Sequence, residues 1–146
     1  MPRYVSSLNK SLHYLFDNFE NVYLIGEDIL DPYGGAFKVS AGLSSEYPKR
    51  VLSTPISESA ITGLGIGLAM KGMRPIVEIM FGDFITLCVD QIINGISKFQ
   101  WIYGAHVSIP LVIRAPMGGR RGYGATHSQS LESLFLSVPG LSMVHL

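Results

Sequence analysis

The chain has 146 residues, enough for one domain with a sizeable core. Its 11 basic and 11 acidic residues give a net charge of zero, which argues against nucleic acid or an anionic membrane surface as the main partner. Apolar residues make up 47% of the chain, a surplus that predicts a surface covered by another domain or subunit. A single cysteine, Cys88, excludes an internal disulfide and fits the cytoplasm or a mitochondrial matrix.

Helical and strand patterns alternate along the first half of the chain. Apolar residues at spacings of three and four predict an amphipathic helix over 3–20. A short buried strand is expected within 21–29, a helical piece within 39–47 and a second strand over 50–54. The segment 57–71 is apolar nearly all round, which predicts a buried helix.

The same alternation continues in the second half. A third strand is expected over 74–80 and a helix from about residue 83 to 101. A fourth strand over 107–115, a last helix over 130–138 and a fifth strand over 141–146 complete the pattern. Strands that alternate with helices predict one α/β domain over residues 1–146, with a mainly parallel sheet sandwiched by helices.

Ligands of such sheets bind beyond the carboxyl ends of the strands. The loops 26–37, 53–58, 80–84 and 115–127 follow strands and are therefore expected to meet at one edge. The side chains of these loops are therefore the candidates for binding and catalysis.

The first candidate stretch is "TPISESAITGLGIGLA". Its glycines, Gly63, Gly65 and Gly67, do not make a dinucleotide-binding GxGxxG, because position 68 is leucine and all three lie inside the helix. Close packing of this helix against a neighbour explains them better. Glu58 begins the helix, where the macrodipole ordinarily accounts for a carboxylate. The apolar stretch that follows weakens this explanation and favours a functional role, because a desolvated carboxylate needs a specific partner.

A second group surrounds the corner between the third strand and the next helix. Asp83 fits a helix N-cap. Phe84 is either a core residue or a ring that stacks on a ligand. Glu78, inside the strand, is compatible with an edge or interface position and receives no role. Asp28 and Asp31 are typical turn formers.

The third candidate is the loop "PMGGRRGYGATHSQS". Its glycines permit backbone conformations closed to other residues and let a ligand approach closely. Arg120 and Arg121 have three alternative interpretations. They clamp an acidic group, they are a solvated pair, or they form an ion pair with a partner chain. His127 is either a residue of the turn that Ser128 or Ser130 caps, or a catalytic residue. No second histidine or cysteine stands near enough to indicate a metal site.

Several ordered motifs resemble one family. "TPISESAITGLGIGLAMKGMRPIVEIMFGDF", "DQIINGISKF", "PLVIRAPMGGRRGYGATHSQSLESLF" and "VPGL", together with "GEDI" and "GGAFKVSAGL", resemble the beta subunit of the thiamine-diphosphate-dependent 2-oxo acid dehydrogenases. These are the first components of the pyruvate, branched-chain and acetoin dehydrogenase complexes. The resemblance covers nearly the whole chain and implies a transketolase-like pyrimidine-binding domain with the thiamine-diphosphate-binding fold.

The resemblance also implies roles for three residues. Glu58 matches the glutamate that hydrogen-bonds N1′ of the cofactor aminopyrimidine and favours the imino tautomer, whose nitrogen takes the C2 proton of the thiazolium. Phe84 matches the aromatic residue that stacks on the pyrimidine ring. His127 matches the active-site histidine that faces the substrate, with roles in proton transfer and in stabilising oxygen atoms of the intermediate.

The partners implied by the resemblance follow from what the chain lacks. Nothing in it resembles the "GDG" motif that holds magnesium and the diphosphate, which in the family lies on an alpha subunit. The family's second domain, which helps to form the heterotetramer and docks on the lipoyl acyltransferase core, is expected to be absent after Leu146. Some relatives also hold potassium at the start of the loop that carries His127, the histidine loop (116–130). The implied activity is oxidative decarboxylation of a 2-oxo acid with acyl transfer to lipoamide, in an enzyme active only with its partner.

The sequence leaves two alternatives open. The first is a non-catalytic assembly or regulatory module that keeps the fold. The second is a part of another transketolase-like thiamine enzyme with a different acceptor. The sequence does not decide between pyruvate, branched-chain and other 2-oxo acids.

Overall fold

The structure is a computed structural model that describes residues 4–104, 107–120 and 122–145. The α-helices are α1 (Tyr4–Asn18), α2 (Leu43–Glu46), α3 (Glu58–Met70) and α4 (Phe99–Tyr103). The strands are β1 (Val22–Gly26), β2 (Val51–Ser53), β3 (Arg74–Glu78) and β4 (Val112–Arg114). Short 3₁₀ segments cover Ala36–Lys38, Gly82–Cys88 and Glu132–Phe135, and a π-helical segment covers Gln91–Ser97.

The four strands form one parallel sheet in the order β2-β1-β3-β4. Leu24 in β1 is paired with Val51 on one side and with Ile76 on the other, and Ile76 is paired with Val112. The predicted α/β architecture with a parallel sheet is confirmed.

Alternate residues of the central strands supply two separate cores. Leu24 and Ile76 point into a cluster with Phe16 of α1, whereas Ile25 and Val77 join a cluster with Ile61 of α3. Successive strand side chains point to opposite faces. The sheet is therefore covered by helices on both faces, as predicted.

The chain leaves all four strands at the same edge of the sheet. The amide of Thr54, after β2, donates to the carbonyl of Gly26 at 3.1 Å. The amide of Ile79, after β3, donates to Arg114 at the end of β4 at 2.9 Å. These bonds join the segments in which the candidate site residues were expected.

Asp31 organises the long loop that follows β1, as a turn former should. Its carboxylate accepts hydrogen bonds from the amide of Gly42 at 2.8 Å, from the hydroxyl of Ser44 at 2.7 Å, and from both the amide and the hydroxyl of Ser45. These donors, the Gly42 amide first, hold the pKa of the Asp31 carboxyl well below its usual range. The loop is thereby pinned against the start of α2.

Helix α3 is not buried all round, contrary to the prediction. One face packs on the sheet through Ile61 and Gly65, but Leu64 and Met70 on the other face are 45% and 44% exposed. A Cβ on Gly65 would lie 2.6 Å from Cγ2 of Val77, so this glycine does permit close packing. In the part of the chain that the structure describes, the face of α3 that carries these two side chains stays largely uncovered.

Two glycine substitutions on α3 are expected to have opposite effects. Gly65→Ala forces a methyl group against Val77 and Leu111, an overpacking cost of about 1–3 kcal/mol that exceeds the gain in helix propensity of about 1 kcal/mol. Gly67→Ala meets no atom within 4 Å and should stabilise the chain by about 0.5–1 kcal/mol. Urea unfolding of both variants measures the difference, and equal shifts would contradict this packing.

The single helix expected from residue 83 to 101 is three short segments. The 3₁₀ segment ends at Cys88, the π-helical segment spans Gln91–Ser97, and α4 begins at Phe99. Gly95 approaches α3 so closely that a Cβ there would lie 2.9 Å from Cδ1 of Ile66. The irregular turns follow from a segment rich in β-branched residues, with a glycine at its closest contact.

The last three predicted elements are shorter than expected or absent. Strand β4 spans only Val112–Arg114, because Pro110 cannot donate to the ladder. The last helix is one 3₁₀ turn, Glu132–Phe135, ahead of Pro139. No strand forms within 141–145, where exposed side chains offer little burial to stabilise pairing.

None of the helices in the described ranges combines the length and the apolar character that a membrane crossing requires. Several large apolar side chains are nevertheless exposed, Trp101 at 85%, Ile56 at 77% and Tyr103 at 66% among them. The surplus of apolar residues in the composition is thus found partly on the surface.

Candidate functional site

Glu58 is a buried carboxylate at the first position of α3. The residue is 6% exposed, and its backbone carbonyl accepts a hydrogen bond from the thiol of Cys88 at 3.5 Å. Burial raises the pKa of that thiol, which keeps it protonated as the donor. Within the described residues the Glu58 carboxylate has neither a hydrogen-bond donor nor an ion-pair partner. A buried carboxylate in this condition is costly unless something else binds it.

A second buried carboxylate, Glu27, faces the same place. It follows β1 directly and is 6% exposed. Desolvation raises the pKa of Glu27, and the neighbouring charges of Glu58 and Asp28 raise it further. Glu27 was not singled out from the sequence, although "GEDI" places it at the end of a buried strand.

Replacing Glu27 with glutamine is expected to stabilise the chain at neutral pH. The carboxyl has a higher pKa folded than its ordinary 4.5, so the folded state holds the proton more tightly. Stability is therefore lost as the pH rises from about that ordinary value through the folded pKa, and the amide avoids this loss. Unfolding measured over a pH series should show the variant more stable at pH 7 and the difference vanishing well below 4.5. A difference that is constant with pH would contradict the assignment.

Phe84 and His127 lie together at the edge of the sheet. Their ring centroids are 5.1 Å apart at an interplanar angle of 82°. The ring of Phe81 contacts His127 edge to face at 4.9 Å and lies 6.2 Å from Phe84. Tyr123 packs on Phe81 at 5.6 Å. Edge-to-face contacts of this kind fix the orientation of the imidazole.

Hydrogen bonds to the 3₁₀ segment after β3 hold the histidine loop. The carboxylate of Asp83 accepts from the backbone amide of Gln129 at 3.3 Å and from its side-chain amide at 2.8 Å. The expectation that Asp83 caps a helix is therefore wrong, because its oxygen is committed to a residue 46 positions away. The amide of Gly82 donates to Pro116 at 2.9 Å, and a Cβ on Gly82 would lie 2.1 Å from Cγ of Met117.

The other polar groups of the loop are arranged differently from the expectation. Neither Ser128 nor Ser130 caps the last helical turn, whose N-cap is Leu131 without a side-chain bond. Instead the hydroxyl of Thr126 is 2.9 Å from Nδ1 of His127. Arg120 is exposed with a left-handed φ of 62°, and Arg121 lies outside the described residues.

Comparison with known proteins shows the family of this chain. The family model described as transketolase, pyrimidine binding domain, matches residues 2–145. The chain belongs to this family. The fold agrees with that of a split-gene transketolase described as an inactive beta4 tetramer, with a TM-score of 0.61 at 21% identity over 84% of this chain and 35% of that one.

Relatives of this pyrimidine-binding domain carry a consistent set of names. The 2-oxoisovalerate dehydrogenase subunit beta of Bacillus subtilis is 42% identical over 97% of this chain. A chloroplastic pyruvate dehydrogenase E1 subunit beta of Arabidopsis thaliana is 45% identical, and an acetoin:2,6-dichlorophenolindophenol oxidoreductase subunit beta of Cupriavidus necator is 40% identical, each over 94% of this chain. The chain spans 43%, 34% and 44% of the respective lengths of these three relatives.

Proposed function

We propose that this chain is the pyrimidine-binding part of a beta subunit of a thiamine-diphosphate-dependent 2-oxo acid dehydrogenase. It binds the aminopyrimidine of the cofactor and contributes Glu58 and His127 to oxidative decarboxylation of the acid and acyl transfer to lipoamide. The observation that carries the proposal is the buried carboxylate of Glu58, which has no partner among the described residues.

The residues present fit an aminopyrimidine. A ring nitrogen that shares a proton with Glu58 supplies the donor that the carboxylate lacks, and burial strengthens such a bond. The raised pKa of Glu27 supports a site in which a proton is retained beside Glu58. Phe84 is half-buried at the same edge and presents a ring for stacking. The cofactor, when bound, supplies a stabilised carbanion as nucleophile and electron sink.

His127 is the proposed group that faces the substrate. Its half-buried ring lies against Phe81 and Phe84, while Thr126 contacts Nδ1. Because Thr126 contacts Nδ1, Nε2 is the nitrogen that we propose exchanges a proton with the substrate. The contacts of the ring fix its direction before a substrate arrives.

An alpha subunit is the proposed partner, supplying the magnesium and diphosphate site. A Cβ added at Gly63 or at Gly67 on α3 would meet no atom within 4 Å, and Leu64 between them is exposed. This face accepts another helix at close range, which supports the interpretation of the glycines as packing residues. The same proposal includes assembly as a heterotetramer and docking on a lipoyl acyltransferase core. It also includes a potassium ion beside the histidine loop and a cytoplasmic or matrix location.

Association and activity are measured together. The mass of the chain in solution is determined with and without an alpha subunit of the family, in the presence of thiamine diphosphate and magnesium. The same samples are assayed for decarboxylation of pyruvate and of branched-chain 2-oxo acids. A heteromer with activity supports the proposal, and the preferred acid identifies the substrate. A stable homo-oligomer that ignores partner and cofactor favours the alternative of a non-catalytic assembly module.

A further inference from the structure

A buried ion pair stands beside the site without belonging to its proposed chemistry. Glu78 ends β3 and Arg114 ends β4, and the two residues are register partners. Nη2 of Arg114 is 2.7 Å from Oε1 of Glu78, and Nε donates to Oε2 at 3.1 Å. The side chains of Glu78 and Arg114 are 2% and 18% exposed. The Nε hydrogen bond and the close Nη2 contact of the ion pair hold the carboxylate beside the guanidinium.

The carboxylate of Glu78 also holds a turn of the loop after β1. Oε1 accepts a hydrogen bond from the amide of Ala36 at 3.2 Å. Gly35, with φ of 72°, comes so close that a Cβ there would lie 2.8 Å from the same oxygen. The turn therefore rests directly on the ion pair.

The turn carries two residues in a conformation that side chains rarely adopt. Phe37 and Lys38 have φ values of 58° and 61°. Left-handed backbone at non-glycine residues persists only where the surroundings enforce it. The enforcing contacts include the bond from Ala36 to Glu78 and the bond from the amide of Lys38 to Gly35 at 3.0 Å.

The strained turn places the ring of Phe37 on the aromatic cluster. Phe37 lies 6.1 Å from Phe81 and 6.2 Å from Tyr123, both edge to face. Phe81 in turn contacts His127 at 4.9 Å. A continuous set of contacts thus runs from the ion pair to the imidazole.

We propose that Glu78 and Arg114 are positioning residues for His127, acting through the turn at Ala36 and the ring of Phe37. The functional meaning of this positioning rests on the proposed role of His127. The ion pair decides how far Phe37 extends over Phe81, and Phe81 decides the orientation of the imidazole that faces the substrate.

The test reads the position of the His127 ring directly. The aromatic C–H resonances of the histidines are recorded by NMR on the full chain without cofactor or partner, and His127→Asn identifies the resonance. In the parent chain the ring currents of Phe81 and Phe84 displace the His127 resonance from that of His145, whose side chain is 78% exposed. Glu78→Gln, which removes the negative charge of the ion pair, is expected to move the His127 resonance toward that of His145.

A matched control removes the carboxylate of another ion pair. Glu46 lies 3.2 Å from Nδ1 of His13 on the outside of α2. Glu46→Gln should move the His13 resonance and leave His127 in place. Phe16→Leu, in the core on the opposite face of the sheet, should leave His127 in place as well.

Each outcome decides the proposal. A folded Glu78→Gln chain with an unmoved His127 resonance overturns it, and so does a Phe16→Leu chain in which that resonance moves equally. If Glu78→Gln does not fold, Phe37→Leu replaces it, since this variant keeps the ion pair and removes only the ring; movement of His127 supports the proposal and none overturns it. Because no cofactor is used, a failure of reconstituted decarboxylation leaves these results intact.

Discussion

Glu58→Gln is expected to lower the rate of 2-oxo acid decarboxylation in the reconstituted heteromer by about 10²- to 10⁴-fold. The amide still fills the space but no longer accepts the proton of a ring nitrogen as a carboxylate does. Steady-state assays with the alpha subunit, thiamine diphosphate and magnesium measure the loss. Association with the alpha subunit should be unchanged, because Glu58 is buried within this chain rather than on its surface.

The free energy of unfolding separates this effect from damage to the fold. Glutamine loses an interaction with the macrodipole of α3 of about 0.3–1 kcal/mol. It also relieves the repulsion between Glu58 and Glu27, whose pKa should then fall toward its ordinary value. Glutamine also removes a buried charge that has no partner among the described residues, so the variant without cofactor should be at least as stable as the parent.

Glu46→Gln is the matched control for this experiment. Glu46 is also a carboxylate in the first turn of a helix, α2, but it is exposed and paired with His13. Its replacement should leave the decarboxylation rate unchanged. Equal rates for the Glu58→Gln variant and the parent enzyme would show that the buried carboxylate does not act in the reaction.

Phe16→Ala is expected to have the largest effect on stability, a loss of about 3–5 kcal/mol. The ring is 2% exposed, packs on Tyr47 at 5.3 Å and lies 4.8 Å beneath the guanidinium carbon of Arg50. Truncation leaves a cavity between α1 and the sheet and removes the cation–π contact. Urea unfolding measures the loss.

The site should be insensitive to this change when the folded protein is assayed. Phe16 belongs to the core on the face of the sheet opposite to Ile61 and Ile85, which pack beside the site. Below the unfolding transition, the decarboxylation rate per folded heteromer should equal that of the parent. Phe16→Leu should cost less, because it refills part of the cavity. An equal loss in both variants would argue against a cavity as the cause.

The sheet and its two faces were predictable because their causes are local. Apolar residues of β1 and β3 recur in short runs between turns, and α1 repeats its apolar residues at helical spacing. The bounds and regularity of the elements from residue 83 onward were not predictable in this way. There Gly95, Pro110 and Pro139 interrupt helix and strand patterns, and the conformation depends on what each segment packs against.

Only some residues of the candidate site could likewise be predicted from the sequence. Glu58, Phe84 and His127 were found from their motifs, and the structure brings the last two into contact. Their roles in binding and catalysis stay predictions. Glu27, Phe81 and the ion pair of Glu78 with Arg114 were missed as site residues, because charged and aromatic residues at or beside the end of a strand occur for many structural reasons.

By itself, the sequence determined a parallel α/β domain and the set of loops that meet at its carboxyl edge. Only the tertiary structure decided that Glu27 is buried beside Glu58 and that Asp83 binds Gln129 instead of capping a helix. Alternation and spacing depend on neighbours a few residues away, whereas these contacts join segments about thirty to fifty positions apart, as the 46-residue separation of Asp83 and Gln129 illustrates. Such contacts depend on strand order and on loop closure, which no local pattern encodes.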